Sequence, residues 1–230
     1  MNKIIQRLKK LIGKNAENED EFFVLDIVKR KIPSNPIIIE AGAHIGSDSG
    51  RFAQLWKDAK IYAFEPVPDV YSQLVENTSQ YKNIKTFPLA LSDKNGETKM
   101  FVSSGRSDAS SSLLAPKEHL DVHPDVHFNN TINVETITLD DFCLKNNISH
   151  IDFMWLDMQG YELPMLMAAK NMISKISVIY SEVSLIETYE DVSTYQKYKE
   201  WMEGEGFKVY KEYFPWKDMG NVLFVKTKKK

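Results

Sequence analysis

Four stretches of this sequence carry side chains whose types and spacing suit chemistry on a small ligand. The first is Glu40-Ala41-Gly42-Ala43-His44-Ile45-Gly46, which follows the apolar run Ile37-Ile38-Ile39 and opens a stretch with helical periodicity. Gly42 lets the backbone turn tightly and lets a ligand approach it, while Gly46 permits close packing where the helix begins. The free N–H groups of that helix start suit a polar ligand. A dinucleotide site would need three glycines as G-x-G-x-x-G, but Glu40 stands at the first position. A carboxylate there repels a pyrophosphate and attracts an ammonium group. The second stretch is Phe64-Glu65-Pro66, about 20 residues further on, where an acid can accept hydrogen bonds from both ribose hydroxyls. Two carboxylates at the ends of adjacent strands, with glycines between, describe a nucleoside site. The ligand that fits lacks phosphate and carries a cationic amino-acid end, as S-adenosylmethionine does.

The third and fourth stretches place Asp157 and Glu182 at the ends of two later apolar runs, where open α/β sheets receive their ligands. Asp157 is expected as the main polar group of an acceptor site and Glu182 as the next. The plainer alternatives are a helix N-cap for Asp157 and a buried ion pair for Glu182. Both have the oxygen chemistry for a divalent ion, although no metal is expected. Gln159 and Tyr161 adjoin Asp157, and Ser110, Ser111 and Ser112 offer hydroxyls to a polyhydroxylated acceptor. His119, His123 and His127 recur at four-residue intervals with Asp121 and Asp125 between them. On one helix they would suit a metal or supply a base, but Pro124 interrupts that helix and a solvated lid is the plainer reading.

The elements that must position these groups follow a strand–helix rhythm. Apolar runs at residues 37–39, 60–64, 84–91, 151–156 and 176–183 read as buried strands. Helical patterns at 47–56, 70–80, 163–173 and 194–203 alternate with them. The expectation is an α/β fold with a doubly wound, mostly parallel sheet, closed by an antiparallel C-terminal hairpin of residues 207–213 and 221–225. Residues 97–102 and 132–137 alternate like added strands, residues 139–145 suit a short helix, and the polar stretch 103–130 between the strands is too long for a plain connection and is expected to be a lid. Residues 1–33 are expected to form an N-terminal helical segment, 34–226 the main domain, and 227–230 a basic tail.

Within the first segment, residues 2–11 put Ile4, Ile5, Leu8 and Leu11 on one face and basic residues on the other. That pattern suits weak contact with an anionic membrane surface, or packing on the domain edge. A second helix is expected over residues 20–31, with Phe22, Phe23, Leu25, Ile27 and Val28 inward. The chain has 230 residues and a formal net charge of −3, so no general basic field favours nucleic acid as a partner. The lone Cys143 cannot form an internal disulfide, which points to a reducing compartment, the cytoplasm. Oligomeric state is open.

In sequence, residues 36–183 resemble the FkbM family of methyltransferases. The resemblance is carried by Ile39-Glu40-Ala41-Gly42-Ala43-His44-Ile45-Gly46, Phe64-Glu65-Pro66-Val67-Pro68, Leu89-Ala90-Leu91-Ser92-Asp93, Val134-Glu135-Thr136-Ile137-Thr138-Leu139-Asp140, Trp155-Leu156-Asp157-Met158-Gln159-Gly160-Tyr161-Glu162 and Ser181-Glu182-Val183. It implies a Rossmann-like class I methyltransferase using S-adenosylmethionine, commonly for O-methylation of sugars or polyketide hydroxyls. By position, Glu40, Gly42, His44 and Gly46 would border the methionine part of the donor, Glu65 would hold the ribose, and Ala90 and Leu91 would line the adenine. Asp157 would face the sulfonium and the acceptor. The chain departs from the family at His44, often Asn, and at Gln159, often Glu; Gln159 can exchange hydrogen bonds but cannot act as a base. The acceptor implied is a sugar hydroxyl of a glycan, polysaccharide or glycolipid precursor, with a small secondary metabolite or a non-catalytic donor-binding module as alternatives.

Overall fold

The structure is a computed structural model that describes residues 23–227. The expected helix at residues 2–11 lies outside the described residues, as do Phe22 and residues 228–230. The described part of the second helix, α1, covers residues 23–29. It buries Val24, Leu25 and Val28 and leaves Phe23 54% exposed.

Four strands from the apolar runs form the parallel heart of the sheet: β1 (Ile37–Ala41), β2 (Lys60–Phe64), β3 (Ile84–Phe87) and β7 (Ile151–Leu156). Parallel to β7 runs β8 (Ile176–Ser184). The C-terminal pair, β9 (Phe207–Tyr213) and β10 (Met219–Lys226), joins antiparallel, with β10 between β8 and β9. Among the described residues the sheet order is β3-β2-β1-β7-β8-β10-β9. The chain therefore leaves β1 in one direction and returns to its other side as β7, and this reversal opens a crevice beyond the carboxyl ends of β1 and β7. Thr227, expected in the tail, is still tied down, its N–H donating to the Gly206 carbonyl at 2.8 Å.

Period-two alternation explains why the strands read as unbroken apolar runs. Ile39, Met154 and Leu156 face one layer with Phe142, Leu163, Leu166 and Tyr198. Ile38, Phe153 and Trp155 face the other, with Val28, Phe52 and Trp56. The helices on these layers include α2 (Ser47–Leu55), α5 (Leu139–Lys145), α6 (Glu162–Ala168) and α7 (Tyr195–Gly204); α3 (Pro68–Thr78) packs against α2. Among the described residues no helix is long and apolar enough to cross a membrane.

A second, three-stranded sheet stands over the crevice, in the order β4 (Ala90–Ser92), β6 (Val126–Thr138), β5 (Gly96–Gly105). It corrects two expectations. The run 84–91 is not one strand: Pro88 cannot donate to a ladder, so β3 ends before it and β4 joins the other sheet. The polar stretch 103–130 is not all loop, because β5 continues to Gly105 and β6 starts at Val126. What remains between them holds α4 (His119–Val122), only four residues long. His123 follows it and His127 lies on β6, so the three histidines do not share a helix.

Candidate functional site

At the crevice the first turn is set by three residues with left-handed backbones, Gly42, His44 and Gly46. Gly42 has φ +82°, and a side chain there would put Cβ 1.8 Å from the Asp157 carbonyl oxygen. The glycine thus makes room for the end of β7. Gly46 has φ +85°, and a Cβ would lie 2.7 Å from Leu74 and 2.8 Å from Thr78, both on α3. It serves helix packing, as its position suggested, and does not border the ligand space. Neither does Glu40, which is 1% exposed and accepts a hydrogen bond from the Ser49 hydroxyl in α2. Burial holds its carboxyl well above the usual range. The Glu40 carboxyl group is thus held by the first turn of α2.

Two cavities open beyond these turns. The first holds about 640 Å³ of space, the open solvent at its mouth included. Gly42, His44, Glu65, Ala90, Leu91 and Asp157 all line it. Glu65 is 6% exposed, and each oxygen takes one backbone N–H: Oε2 from His44 at 3.0 Å, Oε1 from Val67 at 2.9 Å. Each oxygen keeps a further lone pair, so the carboxylate is oriented by the backbone yet able to accept from a vicinal diol. Burial raises its pKa, opposed by these N–H groups and His44. Leu89, Ala90, Leu91 and Met100 give the cavity an apolar side suited to a flat base. The donor set therefore fits S-adenosylmethionine. His44 has φ 47° and reaches across to Asp108, Nε2 to Oδ1, at 3.1 Å, which brings the insertion over the cavity. Asp108, Ala109, Met100 and Leu113 were missed in the sequence because nothing local links them to a site 60 residues away.

The second cavity lies on the other side of Asp157, which lines both. It is bordered by Arg106, Ser110, His123, Gln159 and Trp216 among others. Around Asp157 two half-buried carboxylates are organised by one amide. Gln159 Nε2 donates to Asp157 Oδ1 at 2.7 Å and sits 3.3 Å from each oxygen of Glu182. Its Oε1 accepts from the Tyr189 hydroxyl at 3.0 Å, a donor also within 2.9 Å of the Ser110 carbonyl. Burial raises the pKa of Asp157 and Glu182; Asp157 and Glu162 push Glu182 further up, while the Gln159 amide opposes both shifts. Among the described residues no group of three or more His, Cys, Asp or Glu is arranged to hold a metal ion.

The other expected acceptor contacts are redistributed. Ser112 is fully buried, donates to the Gln159 carbonyl at 2.8 Å and accepts the Leu114 N–H at 3.0 Å, so its hydroxyl braces the insertion. Ser111 borders the first cavity and binds Ser103. Tyr161 also lines the first cavity, its hydroxyl donating to Asp93 at 2.9 Å. Of the expected acceptor residues, Gln159 and Ser110 face the second cavity, joined by Trp216, a 38% exposed ring whose position the sequence left unassigned.

The sequence and fold were then compared with known proteins. The family profile described as Methyltransferase FkbM domain matches residues 40–209. The 2-O-methyltransferase NoeI of Sinorhizobium fredii (strain NBRC 101917 / NGR234) is 37% identical over 161 residues, 68% of this chain and 66% of that one, just under two thirds of its length. The methyltransferase sdnD of Sordaria araneosa is 25% identical over 209 residues, 80% of this chain and 78% of that one. In fold, the chain is similar to one in the crystal structure of a fibrillarin/Nop5p complex, with TM-score 0.52, 14% identity, and coverage of 85% of this chain and 75% of that one. A SAM-dependent methyltransferase from Aquifex aeolicus gives TM-score 0.50 at 11% identity, covering 90% of each chain.

Proposed function

The chain belongs to the FkbM methyltransferase family, an S-adenosylmethionine-dependent class, and from that premise we propose that it methylates a hydroxyl of a carbohydrate, free or within a glycan or glycolipid precursor. What carries this proposal is Asp157, the charged residue that lines both the first cavity and a second, more polar one, with Ala109 beside it in both. Methyl transfer needs donor and acceptor to meet end to end, and a shared wall residue marks where they meet. Bound S-adenosylmethionine supplies a methyl carbon already activated by a positive sulfur, leaving alignment and proton removal to the protein.

In this scheme Glu65 accepts from the ribose hydroxyls, and the apolar side formed by Leu89, Ala90, Leu91 and Met100 encloses the base. Asp157 accepts a hydrogen bond from an acceptor hydroxyl and fixes its direction toward the first cavity. Glu182 lines neither cavity and acts through Gln159, whose amide it shares with Asp157. Trp216 offers a flat apolar face beside polar groups, as a sugar ring with one apolar face would require. The similarity to a 2-O-methyltransferase supports oxygen as the methylated atom.

The test is transfer of a labelled methyl group to a panel of glycosides and oligosaccharides, with small aromatic and aliphatic alcohols alongside. Label on carbohydrate is expected, and Asp157→Ala should cut turnover by about 100-fold or more. Label confined to the non-carbohydrate alcohols would exclude a sugar acceptor. An Asp157→Ala protein as active as the parent would remove Asp157 from the acceptor site.

A further inference from the structure

One wall of the second cavity holds a histidine–carboxylate pair that the scheme above leaves without a role. His123 caps α4 and borders the cavity, and its Nε2 lies 2.9 Å from Asp218 Oδ2. The two are 95 residues apart, one beside α4 and one at the entry to β10. Asp218 is buried, with 5% of its side chain exposed, while His123 retains 35%. An ionised carboxylate only accepts hydrogen bonds. The contact therefore assigns the proton to Nε2 and leaves the lone pair on Nδ1. A buried carboxylate behind an imidazole also stabilises the cation formed when that lone pair takes a proton.

The neighbouring histidine is not equipped in this way. His119 is 1% exposed, its Nδ1 is buried without a hydrogen-bond partner among the described residues, and its ring centroid is 4.9 Å from that of His123. Burial, reinforced by His123, holds His119 down to about 4, so it stays neutral beside its partner. The carboxylates are differently committed, since Asp157 and Glu182 share the amide hydrogens of Gln159.

We propose that His123 is the catalytic residue that takes the proton from the reacting hydroxyl, with Asp218 as its positioning residue; this rests on methyl transfer to oxygen as proposed above. The acceptor oxygen bonds to the methyl carbon as the methyl–sulfur bond breaks, and the electron pair of that bond stays on sulfur. The hydroxyl proton passes to His123 Nδ1. The resulting imidazolium is balanced by Asp218 and afterwards returns its proton to water. Asp157 orients the acceptor and His123 deprotonates it.

The experiment uses the full chain. ¹⁵N-imidazole NMR without any acceptor reads the His123 tautomer, calorimetry reads S-adenosylmethionine binding, and labelled transfer to the same acceptor panel reads turnover. The Nε2–H tautomer is expected in the parent protein and its loss in Asp218→Asn. His123→Gln should leave the donor Kd within about twofold while turnover falls about 100- to 10,000-fold. Should His123→Gln fail to bind donor, His123→Asn provides the second variant. An Nδ1–H tautomer in the parent overturns the proposal, as does turnover within about threefold of the parent in a His123 variant that binds donor. If the parent methylates no carbohydrate but does methylate another alcohol, the sugar acceptor falls and the His123 comparison is made on that alcohol; if it methylates nothing, methyl transfer to oxygen and the base role fall together, whichever tautomer is seen.

Discussion

Glu162 is a carboxylic acid placed where its charge is costly. It is 3% exposed, its Oε1 accepts the Met158 N–H at 2.6 Å, and burial together with nearby Asp157 pushes it up to about 8 from an ordinary value of 4.5. Between those two values the folded chain binds more protons at this site than the unfolded chain. Stability therefore falls as pH rises through that window, with no contribution below it and the full penalty above it. Glu162→Gln keeps an oxygen for the Met158 N–H and removes the titration. Thermal midpoints measured at about pH 5 and about pH 8 should differ less in the variant than in the parent. An unchanged difference would mean that Glu162 does not carry the slope.

At the scale of elements, the junction between β1 and β7 is the least forgiving part of the fold. Gly42→Ala would place its Cβ 1.8 Å from the Asp157 carbonyl while holding a left-handed backbone. Adding the two penalties predicts a loss of about 2–5 kcal/mol. Chemical denaturation should show it as a lower midpoint, together with weakened donor binding because Asp157 must move. A variant as stable as the parent would mean that the strand ends are not in contact. This junction was legible in the sequence as a glycine in a strand–turn–helix context, but its cause was not, since the crowding atom belongs to a residue 115 positions later. The buried strands were readable because both faces are apolar. The expected helix 163–173 was not: α6 stops at Ala168, and the Asn171 and Met172 N–H groups donate to Asp140 instead. The site divides similarly. Glu65 and Asp157 announce themselves at strand ends, whereas Ser112 reads as a free hydroxyl until packing buries it, and the His123–Asp218 contact exists only through the tertiary fold.

For the whole molecule, donor binding should report on the integrity of the first cavity. S-adenosylmethionine at about 100 times its Kd stabilises the folded state by about 2.7 kcal/mol, which for a chain of this size raises the thermal midpoint by about 5–10 °C. Glu65→Gln sets an amide donor against one of the two backbone N–H groups that orient the side chain. Loss of charged hydrogen bonds worth about 1.5–3 kcal/mol should weaken binding about 10- to 100-fold and shrink the shift accordingly. A full shift in that variant would place the ribose elsewhere.

The insertion between β5 and β6 supplies Asp108 and Leu113 to one cavity, Arg106, Ser110 and His123 to the other, and Ala109 to both. Grafting this segment from a relative with a different acceptor is therefore not a clean exchange of specificity. The chimaera would inherit a new acceptor wall and a new roof over the donor at once, and would need His44, Tyr189 and Asp218, its anchors on the host, to be matched to the incoming chain.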